Sequence, residues 1–322
     1  MAERPAPFRI LSLAGGGYLG LFTAQFLAGL ERRCGTPLGR QFELIAGTSV
    51  GGILALALAY EIPMRVVVDL FLHHGPAIFS ARSLPSGQVG RLLDLTRSAF
   101  GPKHDGRVLR EALAEHLAQL RLKDALHAVV VPAVEVTRSR TKVFKTPHAK
   151  RSSGDEDVLA LDVAMATSAA PAYFPSVEID GQLYADGGLF AVAPDQVAIH
   201  EAEHFFQVEA ERIRMLSVGT ATRGYHPSEP AEADDGAIGW LSDGRLIMTL
   251  VSVQQQHVEA MMEDRLGERY LRVDAPWPLG QGMGIDVATT KAANLLGDLA
   301  EAQLQQLDPR TLKRQLGISL KN

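Results

Sequence analysis

The sequence predicts an α/β fold built on a largely parallel sheet. Short apolar runs of strand length alternate along the chain with longer segments of helical length. Alternation of this kind is typical of strands joined by helical crossovers. Glycine-rich phrases stand where two of these strands end and helices begin, as expected at such turns. With 322 residues, of which 46% are hydrophobic and 21% charged, the chain is long enough for a large core.

The order of the elements follows from the same pattern. Strands are predicted at 8–13, 42–46, 128–136, 141–145 and 213–219. Helices are predicted at 20–33, 50–60, 64–73, 106–119, 158–168, 194–210, 240–265 and 287–306. The third and fourth strands are joined by Thr137-Arg138-Ser139-Arg140 and should form a hairpin at one edge. Residues 177–184 are expected to form another hairpin, and 308–322 a short helix or a tail.

We expect one domain over residues 1–322. Its motifs fall within about 8–220, and a helical part follows at about 240–306. The polar stretches 149–157 and 223–239 are expected to be loops, because neither separates two apolar cores. Segment 61–105 mixes large apolar residues with Gly, Pro and Ser. It is either a core helix with a packed loop or a mobile, lipid-facing lid.

Charge and cysteine content narrow the class of protein. A net charge of −5 argues against a general binder of DNA or RNA polymers. The single cysteine, Cys34, rules out an internal disulfide and suits a reducing compartment. The first residues lack a signal-peptide pattern, and the most apolar run, 52–60, is too short to span a bilayer. Together these features predict a cytoplasmic protein.

The phrase Gly47-Thr48-Ser49-Val50-Gly51 predicts a nucleophile. It follows the apolar run 42–46 and precedes the apolar helix 50–60. A serine in G-x-S-x-G sits on a sharp strand-to-helix turn with its hydroxyl exposed, and the flanking Gly47 and Gly51 let the backbone pass closely. Strand, motif and helix occur here in the required order.

A second phrase, Gly15-Gly16-Gly17-Tyr18-Leu19-Gly20, lies between the first strand and the first helix. Small residues leave backbone N–H groups accessible, and such groups can face developing negative charge. Gly15, Gly16 and Gly17 are therefore the predicted oxyanion hole.

A serine nucleophile needs a base, and ten histidines leave a Ser–His arrangement open. Asp186-Gly187-Gly188 offers another base, an aspartate between a strand end and two glycines. Its simplest interpretation is an Asp-Gly turn, which is common. The residues alone leave both alternatives open.

Four phrases taken together resemble the patatin-like phospholipase family. They are Gly15-Gly16-Gly17-x-x-Gly20, Gly47-Thr48-Ser49-Val50-Gly51-Gly52, Ala166-Thr167-Ser168-Ala169-Ala170-Pro171-x-Tyr173-Phe174-Pro175, and Asp186-Gly187-Gly188. The resemblance implies a three-layer α/β/α fold and a serine acyl hydrolase of phospholipase A type. It further implies a Ser49–Asp186 dyad without histidine, an oxyanion hole at Gly15–Gly17, and cleavage of membrane phospholipid without metal or cofactor.

The chain departs from the family pattern at two places. Leu19 stands where the family usually has Arg or Lys, and Ala191-Val192-Ala193-Pro194 stands where it tends to have Asn before proline. The first departure leaves open a catalytically weakened protein that keeps the fold for ligand binding or signalling.

The opening segment and Gly284–Thr289 are similar to one bacterial branch of the family, the CapV-type antiphage effectors of cyclic-oligonucleotide (CBASS) signalling. This resemblance implies activation by a cyclic dinucleotide and peripheral action at the inner membrane. Whether the protein forms a homo-oligomer stays open. Six basic residues near the first hairpin suit either phosphate binding or a solvated face. They are Arg138, Arg140, Lys142, Lys145, Lys150 and Arg151.

Two further motifs support other activities. Gly15-x-Gly17-x-x-Gly20, with Glu43 about twenty residues later, fits a dinucleotide-binding oxidoreductase. His200-Glu201-Ala202-Glu203-His204 matches the H-E-x-x-H of zinc hydrolases. The first leaves Ser49 and Asp186 without a role, and the second has no marked third zinc ligand and is short enough to arise by chance, so both rank below the acyl hydrolase.

Overall fold

The computed structural model describes residues 6–79, 101–148, 153–226, 240, 244–278 and 283–319. Within them, one sheet contains the strands β1 Phe8–Leu13, β2 Leu44–Gly47, β3 Val129–Glu135, β4 Arg140–Lys145, β5 Val177–Ile179, β6 Gln182–Asp186, β7 Ile213–Val218 and β8 Tyr270–Val273. The α-helices there are α1 Gly20–Cys34, α2 Val50–Ala59, α3 Met64–Ile78, α4 Arg107–Leu117, α5 Ala160–Thr167, α6 Asp195–His200, α7 Arg245–Leu266, α8 Thr290–Gln306 and α9 Pro309–Leu316.

The sheet is parallel at its centre and antiparallel at one edge. β2, β7 and their outer neighbours β3 and β8 run parallel to β1. β4 pairs with β3 over Val130–Glu135. Two strands share the other edge of β3. β2 pairs with its first half, at Val129 and Val130, and the antiparallel β6 pairs with its second half, Ala133 to Glu135. The carboxyl ends of β2 and β6 therefore point toward each other across a short gap.

Apolar side chains fill both faces of the sheet. Leu11 and Leu13 of β1 belong to the large core beneath α1, α2 and α8. Ile10 belongs to a second core that includes Ala198 of α6 and Met262 of α7. Successive strand residues point to opposite faces, so this division places helices on both sides of the sheet. The fold is thus the three-layer α/β/α arrangement that the resemblance implied.

Several predicted elements differ from the structure. The predicted helix 194–210 is wrong as a single α-helix, because α6 ends at His200 and Glu201–Phe205 forms a π-helix. The strand β8 was not predicted. α3 continues to Ile78, and residues 80–100 of segment 61–105 lie outside the described residues. Across the described part of the chain, no helix combines the length and apolarity needed to cross a membrane.

Candidate active site

Ser49 occupies the turn between β2 and α2. Its backbone has φ 56° and ψ −128°, an unusual conformation for a residue other than glycine. The turn is closely packed: a Cβ on Gly47 would lie 2.0 Å from the carbonyl oxygen of Gly51, and one on Gly51 would lie 2.2 Å from that of Leu13. This is the strained strand-to-helix turn that G-x-S-x-G predicts.

Asp186 meets Ser49 because β6 ends opposite the end of β2. The hydroxyl of Ser49 donates a hydrogen bond to Oδ2 of Asp186 over 2.6 Å. The other carboxylate oxygen, Oδ1, accepts the N–H of Gly188 at 2.6 Å. Gly187 lies against β3, where a Cβ would come within 2.3 Å of the carbonyl oxygen of Pro132. The carboxylate is therefore held in place on both sides.

Burial makes Asp186 a stronger base than an ordinary aspartate. Removal from water raises the pKa of its carboxyl to about 6, although the hydrogen bonds from Ser49 and Gly188 act in the opposite direction. A base whose pKa lies close to neutral pH is efficient in proton transfer. The serine hydroxyl can thus lose its proton to Asp186 as its oxygen attacks a carbonyl carbon.

Thr167 at the end of α5 supports the nucleophile turn, and this role was not predicted from the sequence. Its Oγ1 accepts the N–H of Ser49 at 2.9 Å and donates to the carbonyl oxygen of Pro132 at 2.6 Å. The side chain is fully buried. Thr167 therefore fixes the strained turn to β3, and its place in the phrase 166–175 was the available signal.

The glycine loop lies beside the nucleophile. The N–H of Gly15 donates to the carbonyl oxygen of Val192 at 2.9 Å. Among the described residues, the N–H groups of Gly16 and Gly17 have no acceptor. Of the three predicted oxyanion donors, these two are available in this structure, together with the N–H of Val50 at the amino end of α2, where amides lack helical partners.

Residues far along the chain determine the shape of this loop. The N–H of Tyr18 donates to the carbonyl oxygen of Ile285 at 2.7 Å. Gly17 has φ +57°, and a Cβ there would lie 2.2 Å from the same oxygen. Only glycine satisfies both the conformation and the contact. Gly20 begins α1, packed against Val50 of the nucleophile turn.

The structure places both departures from the family pattern next to the glycine loop. Leu19 is fully buried in the large core, and its apolar side chain cannot supply the positive charge that the family usually has at this position. In the loop 191–194, Val192 accepts the N–H of Gly15 and so attaches this loop to the glycine loop.

A cleft with a cavity volume of about 120 Å³ leads to Ser49 and Asp186. Its walls are mostly apolar and come from α3, α4, α7 and the segment around Tyr173. The lining side chains include Leu70, Phe71, Ile78, Phe79, Leu109, Leu113, Tyr173, Phe174, Ile247, Leu250, Val251 and Ile285. A second, much smaller pocket of about 20 Å³ shares Ile53, Leu70 and Leu113 with it. An acyl chain matches this lining, because long apolar chains gain most from leaving water.

The H-E-x-x-H motif does not assemble a metal centre. Glu201 is buried and bonded to Lys145 and His148, each at 2.9 Å. His200 and His204 are exposed and stack on each other. Within the ranges that the structure describes, no group of three His, Cys, Asp or Glu side chains is arranged to hold a metal ion.

The glycines of the dinucleotide motif are engaged with the serine turn and with Ile285. Glu43 is the acidic residue of the dinucleotide-binding pattern, where a ribose would bind. Its carboxylate is paired with Arg9 at 2.8 Å.

Comparisons with known proteins identify related sequences. Residues 11–199 match the model of the family described as patatin-like phospholipase. A protein named cGAMP-activated phospholipase from Pseudomonas aeruginosa is 40% identical over 83% of this chain and 78% of its own length. Proteins of the same name from Vibrio cholerae and Escherichia coli are 32% and 30% identical over 89% and 94% of this chain, and each alignment covers 87% of the relative.

Proposed function

Because the chain belongs to the patatin-like phospholipase family, we propose that it cleaves acyl esters of membrane phospholipids through a Ser49–Asp186 dyad and is activated by a cyclic dinucleotide. Family membership makes the protein a lipid ester hydrolase. The observation that carries the dyad is the 2.6 Å hydrogen bond from Ser49 to a buried carboxylate at the base of an apolar cleft.

In the first half of the proposed reaction, Oγ of Ser49 attacks the acyl carbonyl carbon and its proton passes to Asp186. The carbonyl oxygen becomes an oxyanion, which the N–H groups of Gly16, Gly17 and Val50 stabilise. The ester bond then breaks. Asp186 returns the proton to the departing alcohol oxygen of the lysolipid, and the acyl group remains on Ser49.

In the second half, Asp186 takes a proton from water as the water oxygen attacks the acyl-serine carbonyl. The same N–H groups stabilise the second oxyanion. Its collapse releases the fatty acid, and the proton on Asp186 returns to Oγ of Ser49. One carboxylate thus acts as base and acid in both halves, and the cycle needs no histidine.

Exposed apolar side chains at the mouth of the cleft support action at a bilayer surface. Leu189 and Leu250 line the cleft and are 50% and 42% exposed, while the adjacent Phe190 and Val253 are 37% and 55% exposed. Apolar surface around an opening marks a place where a lipid surface can dock. These side chains support peripheral action at the inner membrane, by a protein that the sequence predicts to be cytoplasmic.

The names of the relatives support the proposed activator. Three of them are named as activated by cGAMP, a cyclic dinucleotide. An enzyme that attacks the membrane of its own cell must stay inactive until a signal arrives. A change from about 1:99 to 99:1 in favour of the active state needs roughly 10⁴-fold tighter binding of the ligand to that state.

The basic cluster near the first hairpin is a weak candidate for the phosphates of that ligand. Arg138 and Arg140 lie 3.2 and 3.6 Å from Glu135, while Lys142 and Lys145 pair with Asp155 and Glu201. Those four charges are already compensated, which favours the solvated-face alternative. Lys150 and Arg151 lie outside the described residues.

The proposal is tested by fatty-acid release from vesicles of phosphatidylethanolamine and phosphatidylglycerol, with and without a panel of cyclic dinucleotides that includes cyclic GMP–AMP. We expect ligand-dependent release that Ser49→Ala abolishes. Calorimetry and light scattering follow binding and assembly in the same samples. If fatty-acid release is the same with and without ligand and no cyclic dinucleotide of the panel binds, the proposed activation is wrong. No release from the folded protein under any condition would favour the catalytically weakened alternative.

A further inference from the structure

The side chain of Gln254 on α7 lies between two loops of the active site. Its Nε2 donates to the carbonyl oxygen of Gly188 at 3.1 Å, and its Oε1 accepts the N–H of Val192 at 3.2 Å. Gly188 and Val192 precede Gln254 by 66 and 62 residues. One amide from a distant helix thus joins both ends of the segment that follows Asp186.

Both partners of Gln254 contact the catalytic groups directly. The N–H of Gly188 donates to Oδ1 of Asp186 at 2.6 Å. The carbonyl oxygen of Val192 accepts the N–H of Gly15 at 2.9 Å. A continuous hydrogen-bonded path therefore runs from the glycine loop through Val192, Gln254 and Gly188 to the carboxylate.

We propose that Gln254 is a positioning residue that sets the catalytic carboxylate and the oxyanion loop in a fixed relative geometry. The inference rests on the proposed Ser49–Asp186 dyad and adds to it a side chain that touches no reacting atom. Rates of acyl transfer are sensitive to such geometry, because displacement by about 1 Å can cost about a hundredfold.

The chemistry of the two contacts explains the residue type. One partner is a carbonyl oxygen and the other an N–H, so the side chain must offer a donor and an acceptor together. Glutamate would face the carbonyl oxygen of Gly188 with a second oxygen, and methionine would offer neither group. The position also links the site to the cleft mouth, because Leu250 lies one helical turn earlier on the same side of α7.

Gln254→Met tests the proposal, with Gln256→Met as a matched control on the same helix. Within the part of the chain that the structure describes, Gln256 bonds only inside α7, to Ser252 at 2.8 Å. We expect Gln254→Met to lower kcat by about tenfold to a hundredfold while KM stays within about twofold. The acid limb of its pH–rate profile should move to higher pH, because a loosened Gly188 stabilises the ionised carboxylate of Asp186 less. Gln256→Met should match the wild type in all three quantities.

Gln254→Glu supplies a second test, because it replaces the amide by a side chain of nearly the same size. It should lose activity with an acid limb shifted in the same direction, and a fluorophosphonate probe should label its Ser49 more slowly. If Gln254→Met fails to fold, this variant decides the question. Wild-type kcat and pH profile in a folded Gln254 variant, or an equal loss in Gln256→Met, would overturn the proposal. Ser49→Ala in the same assay tests the dyad separately, since its activity bears only on the proposed nucleophile.

Discussion

The N–H of Ser49 and the side-chain hydroxyl of Thr167 are joined by a 2.9 Å hydrogen bond. The same hydroxyl donates to the carbonyl oxygen of Pro132, so one oxygen connects the nucleophile turn to the central sheet. Ser49 has a positive φ, and such conformations persist only where the surroundings hold them. Thr167 therefore stabilises the turn that carries the proposed nucleophile.

Thr167→Val should keep the shape of the side chain and remove this connection. The N–H of Ser49 and the carbonyl oxygen of Pro132 would lose their partner, which should lower the free energy of unfolding by about 1–3 kcal/mol. We also expect kcat to fall by about tenfold or more as the turn relaxes. Denaturant unfolding and ester hydrolysis measure the two effects. Thr167→Ser keeps the hydroxyl and should restore most of both, and a Val variant indistinguishable from wild type would contradict the assignment.

Ser49→Ala and Asp186→Asn should each abolish hydrolysis, because the dyad acts as a unit. We expect losses of about 10³-fold or more in kcat on lipid and p-nitrophenyl esters. Ser176→Ala and Asp180→Asn alter exposed residues of the same types and should leave kcat unchanged. A histidine variant that loses all activity with unchanged stability would instead indicate a Ser–His arrangement.

Activity should fall on the acid side of about pH 6. Burial raises the pKa of Asp186 to about 6, and the protonated carboxyl cannot accept the proton of Ser49. The profile of kcat/KM against pH, which reports groups of the free enzyme, should therefore show an acid limb with a midpoint near that value. A midpoint close to 4 would mean that the carboxylate is not desolvated in solution.

The same burial implies that Asp186 destabilises the folded protein at neutral pH. Its pKa rises from 3.8 to about 6 on folding, so the folded state binds the proton more tightly, and stability is gained as pH falls through 6 toward 3.8. Above pH 6 the cost of the buried charge is about 3 kcal/mol. Asp186→Asn should raise the unfolding free energy by up to that amount near pH 8, and by roughly half near pH 5. Denaturant titrations at both pH values test this, and an equal or negative change would refute it.

Chain-length preference should depend on Leu113, which lines both the cleft and the smaller pocket. Leu113→Phe would fill part of the apolar space that Leu113 lines and should lower turnover of p-nitrophenyl palmitate relative to butyrate by about tenfold. Leu113→Ala should shift the ratio the other way. Glu115→Phe places the same ring on the exposed face of α4 and serves as control. An unchanged ratio in both Leu113 variants would show that acyl chains do not pass this point.

Local patterns were sufficient to predict most of the fold. Runs rich in apolar residues located β1 and β7, and the two glycine phrases fixed the starts of α1 and α2. β8 escaped prediction because Tyr270–Val273 is only four residues long, and its Arg272 is paired with Asp274 at 2.9 Å. The helix at 194–210 was overextended because its apolar spacing conceals the change to a π-helix at Glu201.

The reacting groups were predicted more completely than their supports. Ser49, Asp186 and the glycines stand in short phrases whose spacing reflects their chemistry. The structure brings them together, and their catalytic roles remain predictions. Thr167, Gln254 and Ile285 act through one or two hydrogen bonds each to residues distant in sequence, and no local pattern encodes such pairings. Their roles became visible only with the topology of the sheet.

The contact between Tyr18 and Ile285 has a consequence for anyone who shortens this chain. A fragment limited to the family match, residues 11–199, would contain the serine, the aspartate and all the motif glycines. It would lack the carbonyl oxygen that receives the N–H of Tyr18 and packs against Gly17. Such a fragment would still match the family model, yet its glycine loop would lack the hydrogen bond and the packing contact that hold its shape. Chimeras and deletions should therefore treat the segment around Ile285 as part of the catalytic unit.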